Sequence, residues 1–249
     1  MKISIDFFLF LLSFIKIKDN IWQLLLSGAA MGFNWIFLFE AFKYTTVSNA
    51  TLAYYFEPTI VMVLSPLILK EKLNNRKVFS IIVSLIGLFM IVNTSAISNG
   101  SYNHPLGLTY GLIAAALYAT VILTNKFFKN LSGLEATLIQ LIIAAIVLFP
   151  YVFITESLRL EMFKIEYLPY ILTLGIVHTG IAYLFYFTGM QGLKGQTIAM
   201  LSYIDPVTAV IISAIFLKEG ITLIQIIGGT LILGSSFISD KQVDNKKAQ

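Results

Sequence analysis

The sequence predicts an all-helical bundle that crosses a membrane several times, and three observations predict it. Of its 249 residues 57% are hydrophobic and 12% charged, with a mean hydropathy of +0.84; such a chain has too little polar surface for a water-soluble globule. Apolar runs follow one another almost from end to end, many near the ~20 residues that cross a bilayer as a helix, and none shows the alternation of an outer-membrane barrel strand. The chain also repeats itself. Tyr55, Glu57, Pro58, Lys70 and Glu71 return without a gap as Tyr203, Asp205, Pro206, Lys218 and Glu219, 148 positions later. A fixed offset of this kind marks two structurally related units.

Nine apolar segments can be marked, at 3–15, 22–42, 48–69, 78–92, 106–123, 134–154, 168–190, 197–217 and 223–238. The first is shorter than the roughly 17 residues a spanning helix needs. Lys2 precedes it, but no small-residue cleavage site follows, so it reads as part of a span and not as a signal peptide. The offset of 148 also pairs Lys16 with Lys164, Gly32 with Gly180, Phe37 with Phe185 and Trp35 with Tyr183. It sets Met1 opposite Phe149, inside the sixth segment, so the fifth segment and most of the sixth lack an upstream partner. The expectation is a first repeat at 1–93 without its first helix and most of its second, about 40 residues. A linker at 94–105, a second repeat at 106–239 and a polar tail at 240–249 complete the chain. Five spans in a full repeat, an odd number, would place the two repeats in opposite senses, the inverted design of secondary transporters.

Loop charge points the same way. With the C-terminus in the cytoplasm, twelve Lys and Arg fall inside and five outside, as basic loops retained in the cytoplasm require. The uncharged linker then lies outside, and the chain is a multi-pass protein of the cytoplasmic membrane. The formal charge of +4 comes from basic residues scattered singly or in short clusters, which excludes a nucleic-acid-binding face. The absence of cysteine removes disulfides and thiolate metal sites. Phosphate loops, zinc-binding His-Glu-x-x-His and nucleophile elbows are also missing, so no cofactor or metal is expected.

Chemistry concentrates at the repeated break. Glu57 and Asp205 each lie about ten residues into a span, where an ionised carboxylate costs about 2.5 to 3.5 kcal/mol. Pro58 and Pro206 each remove a backbone donor and invite the helix to bend or break, and paired breaks in two halves point to a transporter's binding site. Two roles stay open for the acids: binding a solute or proton, and capping a restarted half-helix. His178, Asn34 and Gln140 are mid-span polar groups suited either to the solute path or to interhelical hydrogen bonds. Trp35, Tyr55, Tyr183 and Tyr203 lie too deep for an interfacial belt and either line a cavity or pack the bundle. Glu71 and Glu219 end Lys-Glu pairs at turns and are read as structural, each capping the helix that follows. Gly107 with Gly111, and Gly228 with Gly229, allow close helix contact and are candidate homodimer faces.

The acid-proline pair followed twelve or thirteen residues later by Lys-Glu, occurring in both halves, resembles the drug/metabolite transporter superfamily, in particular its EamA-type permeases. The resemblance covers essentially the whole chain; the family's turn has a small residue before the Glu, where this chain has Lys70 and Lys218. It implies ten helices as two inverted five-helix halves around a central cavity. It carries over to Trp35, Glu57 and Pro58 in the first half and Tyr183, Asp205 and Pro206 in the second. It also implies a secondary-active exporter of small metabolites such as amino acids, coupled to a proton or a counter-solute. The alternatives are an incomplete, inactive gene product and a membrane enzyme acting on lipid, which would need clustered acids or histidines at one interface.

Overall fold

The computed structural model describes residues 17–45, 47–72, 74–93, 103–155, 164–205, 207–208, 211 and 223–240. Every element among them is helical: α1 (Ile21–Tyr44), α2 (Val47–Tyr54), α3 (Glu57–Ile68), α4 (Asn75–Asn93), α5 (His104–Asn125), α6 (Gly133–Thr155), α7 (Ile165–Met190), α8 (Gly195–Ser202) and α9 (Leu223–Asp240). Helices satisfy all their backbone groups within one segment, which lipid demands. Among the described residues α1, α5, α6 and α7 are long and apolar enough to cross a membrane. The expected first segment, at 3–15, lies outside the described residues, as do residues 94–102 of the linker and most of the eighth segment beyond residue 208, while the last linker residues already belong to α5 from His104.

The chain divides into two compact units: Met1–Ile36 with Thr120–Leu193, and Phe37–Ala119 with Lys194–Gln249.

In the first unit α1 lies against α6 through a small-residue face. A Cβ added at Gly28 would stand 2.6 Å from Ile143 Cβ, and one at Gly32 would stand 2.8 Å from Val147 Cβ. In lipid, apolar side chains gain little by leaving their surroundings, so close backbone approach and interhelical hydrogen bonds hold helices together. Gln140, fully buried, supplies such a bond by donating to Ser27 Oγ at 2.8 Å. The loop before α6 is pinned from three sides. Asn20 donates to Lys129 O at 2.9 Å and accepts from Lys129 N at 2.8 Å. Lys126 Nζ donates to the carbonyls of Met190, the last residue of α7, and of Leu193 in the turn beyond it, placing a cation at the C-terminal end of that helix. Ser132 and Glu135 form a reciprocal capping box at the start of α6.

In the second unit α4 and α9 pack side by side. Their first residues, Asn75 and Leu223, are separated by the repeat offset, so the two helices are counterparts. Ser84 Oγ and Ser235 Oγ share a hydrogen bond of 2.6 Å, while Gly87 faces Gly228. Contacts thus run backward along α9 as they run forward along α4, and the counterparts are antiparallel. Helices α3 and α8 are antiparallel as well: Gly195 at the start of α8 meets Ser65 and Leu69 near the end of α3, and Tyr203 just past α8 bonds Thr59 near the start of α3. A core of Met62, Ile81, Leu88, Met200, Tyr203, Val207 and Ile232 joins these four helices, with Tyr55 and Leu85 packed against it.

The glycines offered above as homodimer faces are taken up within the chain. Gly107 meets Thr45, Gly111 meets Ala53, and Gly228 presents its carbonyl to Gly87. No face for a second copy follows from them.

Candidate functional site

The helix expected at 48–69 breaks where Pro58 denies Tyr54 its partner. α2 ends at Tyr54, Tyr55 and Phe56 form a turn, and α3 restarts at Glu57. α8 and α2 have matching bounds, Gly195–Ser202 and Val47–Tyr54, displaced by the repeat offset. Tyr203, the counterpart of Tyr55, likewise stands at a turn. Proline alone does not break these helices, since Pro66 lies within α3 and Pro150 within α6. The acid-proline pair at the restart coincides with the break.

Glu57 occupies the first position of α3 and is 3% exposed, with Pro58 buried beside it. The N-cap residue is Phe56, which makes no side-chain cap. Oε1 of Glu57 has no hydrogen-bond partner among the described residues, so that oxygen caps no helix. Tyr203 is fully buried, and its hydroxyl shares a 3.1 Å hydrogen bond with Thr59 Oγ1. Asp205 is exposed, and Glu57, Asp205 and Tyr55 lie within electrostatic reach of one another. The Tyr54 ring stands 6.0 Å from that of Tyr55 and 5.9 Å from that of Tyr118. Among the described residues no Lys, Arg or His pairs with either acid. The group is therefore rich in acceptors and aromatic surface and holds no cation. Pro206 and Glu219 lie outside the described residues.

Asn34, Trp35, Gln140, His178 and Tyr183 belong to the first unit. Trp35 and Tyr183, repeat counterparts, touch directly: Trp35 Nε1 donates to Tyr183 OH at 3.2 Å, and the rings meet edge to face with centroids 5.8 Å apart. Tyr183 continues onto Phe187 at 5.4 Å. Trp35→Phe keeps the ring contact and loses the hydrogen bond; thermal unfolding of the detergent-solubilised chain should show a loss of about 1 kcal/mol. Asn34 is fully buried. His178 is exposed, inside a π-helical stretch at Thr173–Ile181 where Thr179 Oγ1 donates to Leu174 O, five residues back. No sequence pattern announced this widened helix.

Glu71 does cap a helix, though not the one that follows it. Its carboxylate accepts from Gly195 N at 2.9 Å and Gln196 N at 3.3 Å, the free donors at the start of α8. Lys77 Nζ adds a 3.0 Å bond to Gln196 Oε1. The following helix, α4, is capped by Asn74 Oδ1, which accepts from Arg76 N. Lys70, held at φ 56°, turns the chain so that Glu71 reaches α8. Thr59, one residue past Pro58, was not signalled by the repeat because its counterpart is Val207.

Apolar spanning helices, antiparallel packing and a buried intramembrane acid define a polytopic helical membrane protein. Comparison with known proteins narrows this. The model of the EamA-like transporter family matches residues 3–93 and 105–239. YxxF, an uncharacterized transporter of Bacillus subtilis (strain 168), is 30% identical over 215 residues, which cover 86% of this chain and 68% of that protein. PecM of Dickeya dadantii (strain 3937) is 24% identical over 222 residues, covering 88% of this chain and 73% of PecM. A solved crystal structure shares the fold with a TM-score of 0.75 at 18% identity, over 92% of this chain and 83% of its own. The chain belongs to the EamA-like transporter family, a family of membrane transporters and not of enzymes.

Proposed function

We propose that this protein is a secondary-active exporter of small metabolites such as amino acids or related compounds, working by alternating access in the cytoplasmic membrane with its C-terminus in the cytoplasm. Repeats at 1–93 and 106–239, joined by an external linker at 94–105, lie in opposite senses. Transport is coupled to a proton or a counter-solute. The solute contacts Glu57 and its neighbours Tyr55, Tyr203 and Asp205.

One observation carries the reading: two helix breaks at matching repeat positions, one of them bearing a buried acid whose Oε1 has no hydrogen-bond partner among the described residues. Broken helices supply polar groups at membrane depth where a solute binds. A buried carboxylate left without a partner is costly unless a ligand or proton completes it. The antiparallel packing of the counterparts α4 and α9 supports the opposed repeats.

The test is solute efflux from cells expressing the chain, compared with Glu57→Gln and Asp205→Asn. Glu57→Gln should lower the rate at least tenfold at unchanged protein level. Undiminished efflux in both variants would remove these acids from the transport path.

A further inference from the structure

We infer that the group around Glu57 recognises a primary or secondary ammonium carried on an apolar or aromatic body, and discriminates against anionic and neutral analogues of the same shape that lack the ammonium. The inference rests on the transport reading and adds the chemical class of the solute.

The hydrogen-bonding inventory points to a donor-rich ligand. Glu57 is 3% exposed, and its Oε1 accepts nothing among the described residues. In the Thr59–Tyr203 pair one hydroxyl donates to the other, so one O–H remains to donate elsewhere while lone pairs remain on both oxygens. An ammonium brings two or three N–H donors and a positive charge; a carboxylate brings only further acceptors.

Charge points the same way. Asp205 stands within electrostatic reach of Glu57, and no basic side chain pairs with either among the described residues. Two acids without a resident cation repel an anionic solute and favour a cationic one, more strongly in a low-dielectric setting than in water. The ring of Tyr54, 6.0 Å from that of Tyr55 and 5.9 Å from that of Tyr118, forms with them faces that attract cations and accept an apolar body. Glu57 fixes the ammonium, Asp205 contributes longer-range attraction, and the Thr59–Tyr203 pair supplies a further acceptor.

The test uses the full chain purified in detergent and three probes on one scaffold: phenethylamine, 2-phenylethanol and phenylacetate, positive, neutral and negative at pH 7. Calorimetry should show saturable binding of the amine and at least tenfold weaker binding of the other two. Glu57→Gln should weaken the amine at least tenfold, with elution volume and helical circular dichroism unchanged. Glu57→Asp should restore part of the loss, and Tyr203→Phe should cost a few-fold. The inference is overturned if phenylacetate or 2-phenylethanol binds as tightly as the amine, if no amine binding is found, or if Glu57→Gln leaves it unchanged in a folded protein. Failure of the transport reading would look different: proteoliposomes of the native chain would exchange no solute of any charge. A chain that moves phenylacetate independently of Glu57 would keep the transport reading and lose this one.

Discussion

Gly87→Leu should destabilise the protein by about 3 kcal/mol or more, measured as the shift in unfolding free energy on titrating the micelle-solubilised chain with a denaturing detergent. At this position α4 approaches α9 more closely than any side chain permits. A Cβ would stand 2.6 Å from the Gly228 carbonyl oxygen and 2.9 Å from Ile232 Cγ1. The first of these atoms belongs to the backbone, so relief requires the helices to separate. Separation would also loosen the Ser84–Ser235 hydrogen bond nearby and the core around Ile232. Gly87→Ala should be milder, at about 1 to 3 kcal/mol. Gly234→Ala is the control. Nothing lies within 4 Å of its added Cβ, and the change should be neutral or stabilising through helix propensity.

Glu71→Ala should cost about 2 to 3 kcal/mol in the same titration, because it removes a charged acceptor from two backbone donors at once. Gly195 N and Gln196 N have no preceding turn to bond, and the Lys194 side chain provides no cap. Glu71 closes that end of α8 from the turn after α3, tying together residues 124 positions apart. Glu71→Gln retains one acceptor oxygen and should lose roughly half as much. Gly195 belongs to the same contact: its missing side chain leaves room for Leu69 and Ser65, at 2.9 and 3.0 Å from the added Cβ. Glu166→Gln, on an exposed residue at the start of α7, should change little.

Much of the architecture was legible because membrane insertion writes itself into composition. α1, α4, α5, α6, α7 and α9 begin and end within a few residues of the apolar segments expected for them. The break at Tyr55–Phe56 was legible too, since an acid and a proline inside an apolar run have few other physical outcomes. What the sequence withheld was which helix face meets which. In a soluble helix an apolar stripe marks the inward face, but in a membrane helix every face is apolar and the stripe disappears. The Gly28–Gly32 face toward α6, the fit of Gly87 against Gly228 and the reach of Glu71 to α8 are all pairings of this kind. His178 illustrates the converse. A histidine amid apolar residues reads as an inward polar group, yet α7 exposes it within a π-helical turn. Trp35 and Tyr183 were paired by the repeat offset of 148, but only the structure brings them into hydrogen-bonding contact.

The sense in which each repeat crosses the membrane can be measured directly, since the chain contains no cysteine and single introduced thiols report without background. Lys43, at the end of α1, and Lys194, just before α8, are exposed and stand at corresponding turns of the two repeats. Lys43→Cys and Lys194→Cys variants would be labelled in intact cells with a membrane-impermeant maleimide, then again after permeabilisation. Opposed repeats predict labelling of Lys43→Cys from outside and of Lys194→Cys only once the membrane is opened. Labelling of both thiols from the same side would contradict the inverted arrangement, and with it the paired-break reading of the transport path.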